Sequence, residues 1–265
     1  MPKIDADLEK ALRLLRDYFV AKRIPFALIG ALVPAVLLST ETGIRETRDA
    51  DHVIKLTSWA EWEAVIADLA KLGFTQGRGE QEHRLHYGMA EIDLIPYGVS
   101  SGPEEVLAWR KSGNRMNMAG FADVFRYAQL TEVVRGLALP VVPLWLFVVL
   151  KVIAYLDRRL PRDMSDIIYV LERYESSGET SRRFEIASGI EDVTYETSGA
   201  YLLGCDVRKN VSAKVIELVK DFVGQLTDEY HPVISAILRE EPLLDSKARR
   251  QTVFKLIWAF RKGLS

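Results

Sequence analysis

The stretch RETRDADHVIKL, residues 45–56, sets Asp49 and Asp51 two apart at the head of an apolar run containing Val53, Ile54 and Leu56. In a strand, residues i and i+2 project from the same face, so the two carboxylates stand side by side. Like charges that close repel and resist desolvation, and a divalent cation between them removes the cost. Magnesium suits such a place, because it takes oxygen ligands and is commonly held by one or two carboxylates together with substrate phosphates. A third carboxylate, Asp93, sits in the apolar segment EIDLIP. If that segment pairs beside the first, three carboxylates converge in a site for phosphoryl chemistry, where metals bridge phosphates and one carboxylate draws a proton from an attacking hydroxyl. An isolated acidic pair is more often the solvated start of a strand. The weight comes from LIGA, residues 28–31, which reads as a strand, a glycine and a helix start. Gly30 lets backbone approach closely, and the free N–H groups of a helix N-terminus suit a phosphate.

These residues need elements to hold them. Leu8, Leu12, Leu15 and Phe19 recur at helical spacing and predict an amphipathic first helix over residues 5–20. PFALIG predicts a short strand, ALVPAVLLST a helix that tolerates Pro34 in its first turn, and DADHVIKL a strand. SWAEWEAVIADLAKLG predicts a helix with Ser58 as N-cap, Glu61 as capping-box partner and Gly73 at its end. HRLHYG and MAEIDLIPYG read as a hairpin around Gly88, and a further short strand pair is expected within 114–142. From Pro143 onward the strand signals stop, and LWLFVVLKVIAYLDRR, RDMSDIIYVLERYE and VSAKVIELVKDFVGQL all carry the helical period. The expected fold class is therefore α+β: residues 1–140 a domain with a mixed sheet, residues 141–265 a helical domain.

Composition narrows the function classes. Of 265 residues, 48% are apolar, which supports a sizeable core and argues against disorder. Thirty-five Lys and Arg against 37 Asp and Glu give a net charge of -2, so any nucleic-acid contact must come from a local patch. The single Cys205 excludes an internal disulfide and a cysteine-rich zinc site, and fits a reducing cytoplasm. MPKIDADLEK at the N-terminus carries no secretory apolar segment. The longest apolar run is interrupted by Pro140 and Pro143 and ends at Lys151, too short for a membrane span. His83 and His86 fall on opposite faces of a strand, which disfavours a zinc site, and GFTQGRGEQEH lacks the lysine of a phosphate-binding loop. Arg45 and Arg48 flank the acidic pair, where they are placed for phosphate contact. Lys151, at the end of LWLFVVLK, reads on its own as a solvated lysine.

The order of these pieces is more specific than any one of them. Strand, Gly30, Ala31 and helix, then Arg45-x-Thr47-x-Asp49-x-Asp51, then Asp93, resembles the nucleotidyltransferase fold of the DNA polymerase β superfamily. More narrowly it resembles the AbiEii-type nucleotidyltransferases, a family associated with type IV toxin–antitoxin and abortive-infection systems. The likeness runs over residues 25–170, with Lys151, Asp157, Arg158, Arg162, Asp163 and Asp166 at the places of the family's second block. The resemblance implies that Asp49, Asp51 and Asp93 hold metal, with two magnesium ions in the site, and that Asp93 also helps deprotonate the acceptor. It implies nucleotide contacts at Gly30, Ala31, Arg45, Thr47, Arg48 and Asp166, and a phosphate contact from Lys151 across a domain cleft. The substrate would be a nucleoside triphosphate of ATP or CTP type. The acceptor hydroxyl would belong to RNA, at the 3′ end of tRNA, and a growth-inhibiting role would bring a cognate antitoxin as partner. No membrane is implied. Two positions depart from the family: Ala31 stands where serine or glycine is common, so a hydroxyl contact to phosphate is lost, and His52 stands where an apolar residue is usual. The alternatives are a small-molecule or protein nucleotidyltransferase, and a catalytically silent nucleotide-binding module, for which Ala31 is the best sequence support.

Overall fold

A computed structural model describes residues 4–38, 49–77, 81–99, 106–175, 180–240 and 247–265. The chain divides into two compact units, Met1–Pro143 and Leu144–Ser265.

The first unit opens with α1 (Ala6–Lys22), whose apolar stripe of Leu8, Leu12, Leu15 and Phe19 is fully buried. Asp5 caps it by accepting from the Asp7 amide at 2.8 Å, and Arg23 ends it in the left-handed region. Then follow β1 (Phe26–Ile29), α2 (Leu32–Leu37), β2 (Asp49–Lys55), α3 (Trp59–Lys71), β3 (Thr75–Gln76), β4 (Arg84–Tyr87), β5 (Ala90–Tyr97), β6 (Val106–Ala108), β7 (Arg115–Asn117), α4 (Phe121–Tyr127), β8 (Gln129–Val134) and β9 (Leu137–Val141). Seven strands form one mixed sheet in the order β3-β4-β5-β2-β1-β9-β8, and β6 pairs with β7 separately. Within the large sheet β2 runs parallel to β5 and β1 parallel to β9, while the remaining pairs are antiparallel.

The centre of this sheet is dry. All four residues of β1 are buried, and on β2 the chain passes from exposed Asp49 to buried Val53 and Ile54 within five positions. The hairpin expected around Gly88 joins β4 to β5. Gly88 is required there: its φ is +58°, and a Cβ would meet the Asp7 carboxylate, which accepts from the Met89 amide at 2.9 Å. Ser58 caps α3 by accepting from the Glu61 amide, as the capping pattern predicts. The Glu61 carboxylate does not return to residue 58, however; it takes both the amide and the hydroxyl of Thr57. The strand pair expected within 114–142 is β8–β9, but β6–β7 and the seven-residue α4 are additional to it.

The second unit contains helices among its described residues: α5 (Leu144–Arg158), α6 (Pro161–Arg173), α7 (Thr180–Gly189), α8 (Tyr195–Asn210), α9 (Ala213–Gln225), α10 (Pro232–Glu240) and α11 (Lys247–Leu264). α8 and α11 cross closely at Gly204 and Gly263: a Cβ at either would stand 2.3 or 2.1 Å from a carbonyl oxygen of the facing helix. No helix among the described residues is long and apolar enough to cross a membrane. The fold class is thus α+β in the first unit and helical in the second.

Candidate active site

The backbone register decides which side chains meet. β2 lies between β1 and β5, with Asp51 level with Ile29 on one side and with Asp93 on the other. Asp49 is level with Glu91. Partners in register on adjacent strands share a sheet face, with backbones about 4.8 Å apart. The structure therefore brings Asp49, Asp51 and Asp93 to one face, and adds a fourth carboxylate, Glu91. Asp49 is exposed, and Asp51, Glu91 and Asp93 are half-buried.

Gly30 makes room for this face. Its φ is +76°, and a Cβ there would lie 1.7 Å from Asp51 Oδ2. Both the backbone conformation and the position of the carboxylate favour glycine there. Ala31 precedes α2 in right-handed conformation and makes no side-chain capping bond, so only backbone is offered at that turn.

A bidentate contact in the site comes from a residue that the spacing does not single out. Arg84 on β4 is level with Asp93, and its guanidinium grips that carboxylate with two parallel bonds, Nε to Oδ1 and Nη2 to Oδ2, both 2.8 Å. Its third nitrogen, Nη1, lies 3.2 Å from Glu91 Oε2. Bidentate pairing of this kind is among the stronger protein hydrogen bonds and fixes both partners in a plane. The bond to Asp93 raises the pKa of Arg84, against its partial burial, with Glu91 and Asp51 adding attraction. His83 stands near, with Nε2 3.8 Å from Asp93 Oδ2 and its ring against Trp109. Two signals could have found Arg84 and Glu91: Glu91 is two before Asp93 and so shares its face, and a tight turn at Gly88–Met89 sets Arg84 opposite Asp93.

His52 points to the other face. It is 1% exposed, and neither ring nitrogen has a hydrogen-bond partner. Burial lowers its pKa to about 4, with the backbone of Ala50 the one group opposing the shift. It is a neutral core residue behind the carboxylates.

In donor chemistry Asp49 and Asp51 fit a magnesium ion: they are hard oxygen donors two apart on one strand face. Both Asp93 oxygens already accept from Arg84, and among the described residues no three His, Cys, Asp or Glu side chains form a group that could hold a metal. Arg45, Thr47 and Arg48 lie outside the described residues.

Lys151 and Asp166 belong to the second unit, and there Lys151 is not the solvated lysine its sequence position suggests. Its side chain is 13% exposed, with Nζ 2.7 Å from Asp166 Oδ2 and 3.3 Å from Asp163 Oδ1. Asp163, at 0% exposure, also accepts from Arg158 Nε at 2.7 Å and Nη2 at 2.5 Å. Burial pushes the Asp163 pKa up, but the Arg158 hydrogen bond and the charges of Lys151 and Arg158 more than offset it and hold it low. Lys151 thus ties α5 to α6.

Comparison with protein-family models finds no match, and none of the curated proteins matches. Among solved structures the chain is similar to an antigenic nucleotidyltransferase-like protein from Paracoccidioides brasiliensis, at 15% identity over 64% of this chain and 78% of that one, with a TM-score of 0.42. It is also similar to the antibiotic-resistance factor ANT(2'')-Ia, at 13% identity over 89% of this chain and 96% of that one, with a TM-score of 0.32. Both likenesses are distant in sequence and in backbone.

Proposed function

We propose that the first unit is a magnesium-dependent nucleotidyltransferase. The acceptor oxygen would bond to the α-phosphorus of a nucleoside triphosphate, the bond from that phosphorus to the β-phosphate would break, and pyrophosphate would leave. The observation that supports this best is the level pairing of Asp51 with Asp93 on adjacent parallel strands, with Asp49 on the same face. Asp49 and Asp51 would hold magnesium, which when bound supplies charge neutralisation for the triphosphate. Gly30, with no Cβ, lets the Asp51 carboxylate lie directly against the turn between β1 and α2, where backbone N–H groups suit a phosphate oxygen. Asp93 would receive the acceptor's proton. Each carboxylate oxygen has more than one acceptor direction, so Asp93 can do this while Arg84 holds it in orientation.

The sequence resemblance points to RNA as acceptor, with a toxin-like role and a cognate antitoxin. A second acceptor class, a small cationic molecule bearing a hydroxyl, is favoured by the carboxylate-rich face, to which Glu91 adds a charge. The test incubates purified protein with each labelled nucleoside triphosphate and magnesium, once with total RNA and once with a polyamine-like amino sugar. Label on RNA supports the first acceptor, and label on the amino sugar the second. Triphosphate binding with no label transferred to either would sink the transferase reading and leave a nucleotide-binding module.

A further inference from the structure

We propose that Arg84 is a positioning residue that stands in for one metal ion: it is the built-in counter-ion of Asp93, so the site takes a single divalent cation, on Asp49 and Asp51. This rests on the nucleotidyl-transfer reading of the same carboxylates and takes one divalent ion where the sequence resemblance implies two.

The first support is that Arg84 does not reach in from a loop. Its Cα is level with that of Asp93 in an antiparallel ladder, and β4 is itself held between β3 and β5. The guanidinium is therefore delivered by the sheet. The second is that all three guanidinium nitrogens are engaged. Nε and Nη2 each donate to one Asp93 oxygen at 2.8 Å, and Nη1 faces Glu91 Oε2 at 3.2 Å. The third is burial: the Arg84 side chain is 25% exposed and that of Asp93 15%. Separating a half-buried pair of this geometry leaves a carboxylate poorly solvated and unpaired, which is costly.

Charge then decides between one ion and two. A divalent ion seated on Asp93 would stand within a few ångströms of a fixed guanidinium, and the two cations would repel. A divalent ion on Asp49 and Asp51 meets two carboxylates on the far side of that pair instead. Arg84 does one thing a labile ion does not: it locks the Asp93 carboxylate in the guanidinium plane before substrate arrives.

The experiment counts metal on the full chain with Mn2+ alone, reading the free ion by electron paramagnetic resonance, with circular dichroism to confirm that each variant is folded. Wild type should bind one ion per chain and lose it in Asp49→Asn/Asp51→Asn. Arg84→Met should gain a second ion, or tighten Mn2+ binding by about tenfold or more, and the gain should vanish when Asp93→Asn is added. Arg84→Lys should stay at one ion. If Arg84→Met fails to fold, Asp93→Asn in the wild-type background decides: its single Mn2+ should bind as in wild type, whereas loss of the ion would make Asp93 a ligand and overturn the proposal. Two ions in wild type, or a titration of folded Arg84→Met that superimposes on wild type, would overturn it too. No ion in any form would instead remove the metal-dependent reading, and this inference with it.

Discussion

The carboxylate of Asp51 fills the space that a side chain at position 30 would need: a Cβ on Gly30 would stand 1.7 Å from Asp51 Oδ2. Two separate penalties follow for Gly30→Ala. One is the left-handed backbone at φ +76°, and the other is the collision. Together they should destabilise the protein by ~1–3 kcal/mol or force Asp51 to swing away. Adding Asp51→Ala removes the collision and leaves the backbone penalty, so the double variant should be more stable than the two single costs sum to. Urea unfolding of the four proteins measures the coupling. Strict additivity would mean that glycine is needed for conformation alone.

Arg84 and Asp93 should also be coupled energetically. Breaking a partly buried bidentate pair from one side should cost ~1–3 kcal/mol, less than a fully buried pair because water reaches both groups. The double variant Arg84→Met/Asp93→Asn should be at least as stable as either single one, since no charge is left stranded. Chemical denaturation of the cycle reads this directly, and two equal additive losses would show that the pair contributes no interaction of its own.

Much of this site is legible from spacing alone. Asp49 and Asp51 obey the two-residue period, EIDLIP is an apolar strand with one charge inside it, and Gly30 falls between β1 and α2. Register is what the period does not disclose. That β2 and β5 are neighbours, that Asp51 is level with Asp93, and that Arg84 arrives at the same carboxylate all depend on long-range pairing. The seven-residue α4 is too short to show a helical period, and it begins after Gly120 in a left-handed conformation. Lys151 misleads for a different reason. A lysine closing an apolar stretch looks solvated until α6 folds back and puts Asp163 and Asp166 against it.

That ion cluster makes Lys151→Ala a folding variant. It removes the partner of Asp166 and one of two cations from buried Asp163, so it should destabilise the protein by ~1–3 kcal/mol. Asp163→Ala should cost more, because it leaves Arg158 and Lys151 facing each other. Thermal melts rank the two. A Lys151→Ala protein as stable as wild type would mean that Arg158 alone compensates Asp163.

His52 predicts an acid weakness. Its pKa is about 4 folded and 6.5 as the ordinary value, so the unfolded chain binds the extra proton first as pH falls. The stability is fully present above about pH 6.5 and is lost progressively down to about pH 4, at up to ~1.4 kcal/mol per pH unit. His52→Leu removes this titration while keeping the volume roughly constant. The slope of unfolding free energy between pH 5 and 6.5, as an order-of-magnitude window, should flatten in the variant. Parallel slopes would place the acid sensitivity in other groups.

Magnesium should act on stability before any substrate is added. A ligand that binds only the folded state stabilises it by mass action, by ~2.7 kcal/mol at a hundredfold excess over its dissociation constant. The same ion relieves the repulsion between Asp49 and Asp51, so the shift should be larger for Mn2+ or Mg2+ than for a monovalent salt of equal ionic strength. Asp49→Asn/Asp51→Asn removes both the ligands and the repulsion. That variant should melt at or above the wild-type temperature without metal and should no longer respond to it. The discriminating measurement is the melting temperature of both proteins across a magnesium titration at constant ionic strength. A shift that survives in the double variant would move the cation to another part of the molecule, and the level pairing of Asp51 with Asp93 would then need an explanation other than metal chemistry.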